Sequence, residues 1–438
     1  MKKSILLIGV AALAFGACND KDKNHELSGD EKLIDVTSIS GNVQKGPFIT
    51  GTSVRVAELN SALQQTGRSF ETQIADNSGA FELKSVGRLS QYVELHANGY
   101  YYNEVKDDVS ESQLSLYALT DLSGGTTPNI NVLTTLERPR VEYLTSGGTS
   151  FADAKSQAQA EIFDIFKIDH EFSWLEGSER FNIASSGQGD AALLAVSAIM
   201  QGNLTAGAAS ELIASVASDI RTDGKLDDAK LGSKLKGNAM AINPDEIRSY
   251  LAERYKDLGV EAAVPDFGGI VRNFAAKTEF ELQSNLEYPS KGEFGKNVLA
   301  INDTACMYGS YSMVVKVPNG TELDIKVSAP KRGIWYFEML PGVNYSTWNE
   351  DENSRHFRYS GPCTVDIHLL LSKVERDEIY EWLGDNRHVI KEFENNKVKF
   401  EVFENGVLTM VKDFTILQEE TCTADFINDD NYPNPEIK

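Results

Sequence analysis

Apolar residues change their spacing several times along this chain, and each change marks a different kind of element. A short apolar run, Ile5 to Phe15, follows Lys2 and Lys3; it is too short to cross a bilayer as a helix and has the layout of an export signal over residues 1–17. Asn19 to Asp35 is polar and charged, which predicts a solvated tether over 18–37. Ser38–Val43, Ser53–Leu59, Gly79–Leu83 and Tyr92–Ala97 then alternate or cluster apolar positions between turn residues, the signature of short strands, so a β-sandwich is expected over 38–122.

Near Asn129 the apolar period lengthens from two to about 3.6 and stays there to about Gln283, predicting five to seven helices over 123–285. Ser150-Phe151-Ala152-Asp153 reads as a capping box opening a helix that runs to Phe166. Asn243-Pro244-Asp245-Glu246 places a cap before a proline at the first helical position. Asp190–Gln201, Ala206–Ile220 and Asp227–Met240 supply three more apolar-faced segments. Beyond a polar linker at Leu286–Lys296, strand patterns return at Ser312–Val317, Leu323–Val327, Ile334–Phe337, Thr364–Leu369 and Val398–Val402. They predict a second β domain over 286–418, with one inserted helix at Val374–Leu383, and an acidic tail over 419–438. The expected fold class is multidomain α+β: an N-terminal β-sandwich, a central all-α domain and a C-terminal β-sandwich.

Composition narrows the partners. The 438-residue chain is too long for one core, and its formal net charge of -23 repels phosphate backbones and anionic headgroups. Nucleic acid is therefore not an expected partner, and basic patches cannot hold the chain to a membrane.

Leu13-Ala14-Phe15-Gly16-Ala17-Cys18 resembles the lipobox of a bacterial lipoprotein. The resemblance implies cleavage before Cys18, a diacylglyceryl group on its sulfur and an acyl group on its new amine, hence a lipid anchor in the outer membrane. Asp20 and Asp22, just behind it, resemble the acidic signal that sends Bacteroidota-type lipoproteins to the cell surface. Gly41-x-Val43-x-Lys45-Gly46-Pro47-Phe48, Gly51-x-x-Val54 and Asp76-Asn77-Ser78-Gly79-Ala80-Phe81 together resemble the carboxypeptidase regulatory-like (transthyretin-like) β-sandwich, a spacer or docking module. In that family the last phrase is a hairpin turn whose glycine relieves a left-handed backbone. The join to Asn131-Val132-Leu133-Thr134-Thr135-Leu136-Glu137 and an Ala-rich helical block resembles lipoproteins of the same bacteria and implies no activity. Cys306, Trp335 and Cys363 follow the cysteine, tryptophan, cysteine order of immunoglobulin domains. That resemblance implies an immunoglobulin-like sandwich with Cys306 and Cys363 as candidate disulfide partners, while pairing of Cys422 with either stays open.

Candidate chemistry is sparse. Gly187-Gln188-Gly189-Asp190-Ala191-Ala192 satisfies a phosphate-cradling turn but lacks the strand before it and the acidic strand end after it; it reads as a loop ending with Asp190 as a helix N-cap. Asp219 to Asp228 resembles the start of a calcium loop, yet Arg221 and Lys230 fill positions where a calcium hand needs oxygen ligands. The six histidines are scattered, CxxC spacing is missing and no nucleophile elbow is present, so neither a metal nor a cofactor is expected. Tyr100-Tyr101-Tyr102 reads as a plug between domains. Tyr345 and Trp348, in an acidic loop, are the ligand-binding candidates, because exposed aromatics stack on sugar rings or anchor protein interfaces. Asp303-Thr304-Ala305 matches an O-glycosylation pattern at Thr304. The expected function is that of a cell-envelope lipoprotein acting as a binding, adhesion or scaffold module for a protein or glycan partner. The alternative is a hydrolase of envelope or dietary polymers with its site in the helical domain.

Overall fold

The computed structural model describes residues 32–169 and 176–286 and, in the C-terminal region, residues 298–300, 311–328, 335–339, 345–351, 353–371, 380–382, 387–390, 397–417 and 422–423. Cys18, Thr304, Cys306, Asp20 and Asp22 lie outside them, as do the expected export signal and all of the expected acidic tail except Cys422-Thr423, which form a short strand.

The N-terminal strands are β1 (Leu33–Gln44), β2 (Ser53–Leu59), β3 (Gln65–Gln73), β4 (Ala80–Ser90), β5 (Tyr92–Gly99), the two-residue β6 (Tyr102–Asn103) and β7 (Asp108–Val109), β8 (Leu114–Asp121) and β9 (Ile130–Asn131). They form a sheet in the order β4-β1-β9 and a second in the order β3-β2-β5-β8. Alternate residues of both, among them Ile39, Val43, Val54, Val56, Val93 and Leu95, are fully buried in one core. Pairing begins at Leu33 opposite Ser90, inside the stretch expected as a tether. The reason is apolar: Ile34 and Val36 pack on the sandwich. At the turn between β3 and β4, Gly79 has φ +87°, and Asp76 Oδ1 accepts from the Ser78 amide at 2.8 Å, as the hairpin phrase predicts.

Seven α-helices follow among the described residues: α1 (Val132–Ser146), α2 (Phe151–Ile165), α3 (Gln188–Gln201), α4 (Ala206–Asp219), α5 (Ala229–Ala241), α6 (Pro244–Asp257) and α7 (Gly268–Lys277). Their starts obey local chemistry. Asn131 caps α1 by accepting from the Thr134 amide at 2.9 Å while Thr134 Oγ1 accepts from the Asn131 amide, and Asn243 accepts from the Asp245 and Glu246 amides after Pro244. Ser150 caps α2 as expected, accepting from the Asp153 amide at 3.2 Å, but two expected carboxylate roles differ. Asp153 accepts from the Ser150 hydroxyl at 2.7 Å instead of reaching back to its amide. Asp190 is the third residue of α3, not its cap, and accepts from the Gly187 amide at 2.8 Å. Carboxylates this close to a helix start serve the positive end of its dipole from either position.

Helix α3 explains how sheets and helices join. Ala191 to Gln201 is buried throughout, since the helix lies between the other helices and the sandwich, and one continuous core runs from β1 to α7. Polar stitches cross the same seam. Tyr101 Oη donates to Gln201 Oε1 at 2.8 Å, Gln44 Nε2 to Asn182 Oδ1 at 2.7 Å, and Asn131 Nδ2 to the Ser178 carbonyl at 2.8 Å. Tyr101 and Tyr102 are thus the plug their sequence suggests, while Tyr100 stays exposed. On the far face of the second sheet, Leu59, Leu119, Val141, Ala154 and Ala158 make a smaller core under α1 and α2. No single described helix is long and apolar enough to cross a membrane; α3 and α4 pass jointly but bend by 115°.

The C-terminal strands are β10 (Val298–Ala300), β11 (Tyr311–Val317), β12 (Glu322–Ser328), β13 (Trp335–Met339), β14 (Tyr345–Asn349), β15 (Ser354–Ser360), β16 (Cys363–Leu371), β17 (Tyr380–Trp382), β18 (Arg387–Ile390), β19 (Lys397–Glu404), β20 (Val407–Leu417) and β21 (Cys422–Thr423). They form a six-stranded sheet, β10-β20-β19-β12-β15-β14, and three-stranded sheets β11-β16-β13 and β17-β18-β21, a sandwich-like arrangement. Of the inserted helix expected at Val374–Leu383, residues 374–379 and 383 lie outside the described residues, and Tyr380-Glu381-Trp382 is corrected to a strand paired antiparallel with residues 388–390, a sequence whose tyrosine and tryptophan have strand propensity. Cys363 lies opposite Val317 and forms no disulfide with a described residue; its candidate partner Cys306 is outside them.

The β19–β20 hairpin fastens this region to the helices. Its turn, Asn405-Gly406, has φ +50° and +81°, a left-handed pair typical of tight hairpins. The Glu404 carboxylate accepts from the Asn285 amide at 3.0 Å and from the Ser284 hydroxyl, and α5 packs on β20 so closely that a Cβ on Gly237 would stand 2.1 Å from the Leu408 carbonyl. Gly237→Ala is therefore expected to destabilise the protein by about 1–3 kcal/mol, the usual cost of overpacking, with earlier cleavage between helices and hairpin in limited proteolysis. An unchanged melting temperature would show that the joint is soft.

Candidate functional site

Strand alternation builds a polar face on the six-stranded sheet. Leu323, Ile325 and Val327 of β12 and Phe357 and Tyr359 of β15 point inward and are buried, so Glu322, Asp324, Lys326, His356 and Arg358 project from the other face. Register places Asp324 opposite Arg358, Lys326 opposite His356, and Trp348 opposite His356. The Trp348 and His356 rings stack with centroids 4.5 Å apart and planes 11° apart, and the Arg358 guanidinium lies 4.6 Å from the indole centroid, a cation–π arrangement.

Ion pairs hold these groups. His356 Nδ1 is 3.1 Å from Asp324 Oδ1 and its Nε2 is 3.4 Å from Glu350 Oε2. Arg358 Nη2 donates to Asp324 Oδ2 at 3.1 Å, and Lys326 pairs with Glu350. Burial pushes the Glu350 carboxyl up, but Lys326 and His356 outweigh it and hold the group below its ordinary range.

This face floors a groove of about 720 Å³ whose opposite wall comes from the other two regions: Lys106 of the first sandwich and Asn203, Thr205 and Ala208 around the start of α4. The Asn405-Gly406 turn closes one end, packed on the Asn203 backbone. The volume is within the range of small-ligand clefts.

The two aromatic candidates do not share a site. Three residues apart on one strand, Tyr345 and Trp348 point to opposite faces. Tyr345 leans on Phe357 and Tyr359, with centroids 6.5 and 5.9 Å away, and remains 45% exposed. Trp348 enters the groove and keeps 37% of its surface open.

The other motifs have structural explanations. Gly189 of the phosphate-like turn sits where a Cβ would be 2.1 Å from the Phe181 ring, so packing demands this glycine. In the calcium-like loop Asp219 Oδ2 accepts from the Asp227 amide at 2.7 Å, and Gly224, with φ +77°, packs on Glu161. Among the described residues no three His, Cys, Asp or Glu side chains are grouped to hold a metal ion.

Sequence reasoning reached Trp348 but missed Asp324, Lys326, His356 and Arg358. Their only local signal is alternation, charged residues at every second position of Glu322–Lys326 and again at His356 and Arg358, which ordinarily marks a solvated sheet face. Nothing local indicates that the two strands pair, or that α4 stands across from them. The chain matches no known family model and no curated protein.

Proposed function

We propose that this protein is a lipid-anchored protein of the outer membrane, displayed at the cell surface through Cys18, that captures a partner in the groove around Trp348. The observation that carries this reading is the placement of an exposed indole, oriented by His356 and Arg358, in a cleft to which all three regions of the chain contribute. A cleft shared by three regions is held open by their mutual packing, and the Glu404 and Gly237 contacts supply that packing here. Pre-organised sites bind with less ordering cost than flexible ones.

The first sandwich, with its left-handed Gly79 turn, suits the docking or spacer role of carboxypeptidase regulatory-like modules. The centre of the helical region is filled by Ala192, Leu193, Leu194, Val196 and Ile199 of α3, so the hydrolase alternative would have to place its site at the rim, where Lys230, Ser233, Lys234 and Gln283 line a pocket with Glu404. Two experiments test the proposal. Protease shaving of intact cells is expected to digest the chain, and Asp20→Ala with Asp22→Ala to protect it; full protection of the unaltered protein would remove surface display from the proposal. Partner capture from envelope extracts by the soluble chain lacking residues 1–18 is expected to fail with Trp348→Ala, and equal recovery would place the binding surface elsewhere.

A further inference from the structure

Resting on that reading, we infer that the groove's ligand is a neutral oligosaccharide. The floor offers one flat aromatic surface, Trp348, ringed by groups that orient hydroxyls: the Asp324 and Glu350 carboxylates as acceptors and Arg358 as a donor. Each is already held in place by a neighbour, Asp324 by His356 and Arg358, and Glu350 by Lys326 and His356. The facing wall adds the exposed amide of Asn203 and hydroxyl of Thr205, and the β19–β20 turn adds the exposed amide of Asn405. A pyranose ring has the complementary make-up, an apolar face of C–H groups for the indole and an equatorial rim of hydroxyls that both donate and accept.

Other ligand classes fit less well. A protein partner draws its affinity from several apolar anchors desolvated together, whereas Trp348 is the one large aromatic exposed on this floor; Phe403 beside it is buried. An anionic polysaccharide would meet three carboxylates, Glu322, Asp324 and Glu350, within a chain whose formal charge is -23, and a long-range field of like sign opposes association. Arg358 pairs with Glu322 and Asp324, and Lys326 with Glu350, so these cations are already matched to the groove's carboxylates; the exposed Lys106 on the wall is a single positive charge against a chain of net charge -23. A neutral ligand meets neither obstacle.

The test uses the whole chain lacking residues 1–18, screened on an array of neutral, uronate and sulfated glycans and then titrated by calorimetry with the best neutral oligosaccharide and a uronate oligomer of equal length. A neutral glycan is expected to bind about tenfold or more tightly than the uronate. Trp348→Ala is expected to weaken it about tenfold or more, Trp348→Phe less, and Asp324→Asn measurably. Circular dichroism of each variant confirms that the fold persists. Equal or tighter binding of the uronate, no binding of any neutral glycan, or full affinity in Trp348→Ala would overturn the inference. If the capture experiment still yields a Trp348-dependent protein partner while neutral glycans fail, the binding function survives and the ligand class falls. If Trp348→Ala changes neither capture nor titration, both fall.

Discussion

Replacing Lys45 with methionine, with Glu104 left in place, is expected to destabilise the protein by about 3–5 kcal/mol, the penalty of leaving a buried charge without its partner. Lys45 Nζ lies 2.6 Å from Glu104 Oε1, and both side chains are fully buried. The ammonium also lies 5.3 Å from the Tyr101 ring centroid. Burial lowers the Lys45 pKa, opposed by the adjacent Glu104. Glu104 Oε2 has no hydrogen-bond partner among the described residues, so the lysine is the principal compensation for that carboxylate. The surroundings cannot close over the gap: the Lys45-Gly46 turn is pressed against β6, where a Cβ on Gly46 would be 2.1 Å from the Tyr102 carbonyl. The double variant Lys45→Met with Glu104→Leu removes both charges and is expected to regain most of the loss, since well-packed apolar replacements of buried pairs are often neutral or better. Urea denaturation of the parent, the two single variants Lys45→Met and Glu104→Leu, and the double variant gives the coupling directly. A single variant as stable as the parent would mean that water reaches the pair in solution.

The second large effect is expected at Lys155. Its ammonium sits between the Glu137 carboxylate, 2.5 Å away, and that of Glu179, 3.0 Å away, and the Ser178 hydroxyl donates to Glu137. This network anchors α2 to α1 and to the segment leading into α3. Burial raises the Glu137 pKa, with Lys155 opposing and Glu179 adding to the rise. Burial also pushes Glu179 up, but Lys155 more than reverses it. Lys155→Met leaves two carboxylates buried side by side, at a cost of about 3–5 kcal/mol at neutral pH.

That cost should depend on pH, and the sign follows from linkage. Without the ammonium, Glu137, already raised by burial, is expected to rise further, and Glu179 to move up from its lowered position. Between the ordinary 4.5 and the raised value of Glu137 the folded state binds more protons than the unfolded state, so the variant loses stability as pH rises through the window. The difference between parent and variant is therefore expected to be smaller at pH 5 than at pH 8, read from urea midpoints at each pH. A difference independent of pH would show that lost packing of the lysine stem, not charge, is responsible.

Both sites show why the interior of this protein was only partly legible. Lys45 and Lys155 look like surface residues in the sequence, because lysine is rarely buried and neither has an acidic residue three or four positions away that would expose a pairing. Glu104 is 59 positions from Lys45, and Glu137 is 18 from Lys155; only packing of turn on turn and helix on helix brings them together. Sandwich, helices and second β region, by contrast, were readable because spacing of two or 3.6 is a local property that survives in any tertiary setting.

The groove divides along the same line. Sequence alone determined that Trp348 belongs to a polar segment, that the helices are amphipathic and capped, that Gly79 turns a hairpin, and that the chain is acidic, since each follows from side-chain chemistry within a few residues. Tertiary structure alone decided that Tyr345 and Trp348 face opposite ways, that His356 and Asp324 meet across paired strands, and that α4 and Lys106 wall the cleft. Those facts depend on strand register and on how three regions pack, quantities set by the free energy of the whole fold and carried by no short stretch of chain.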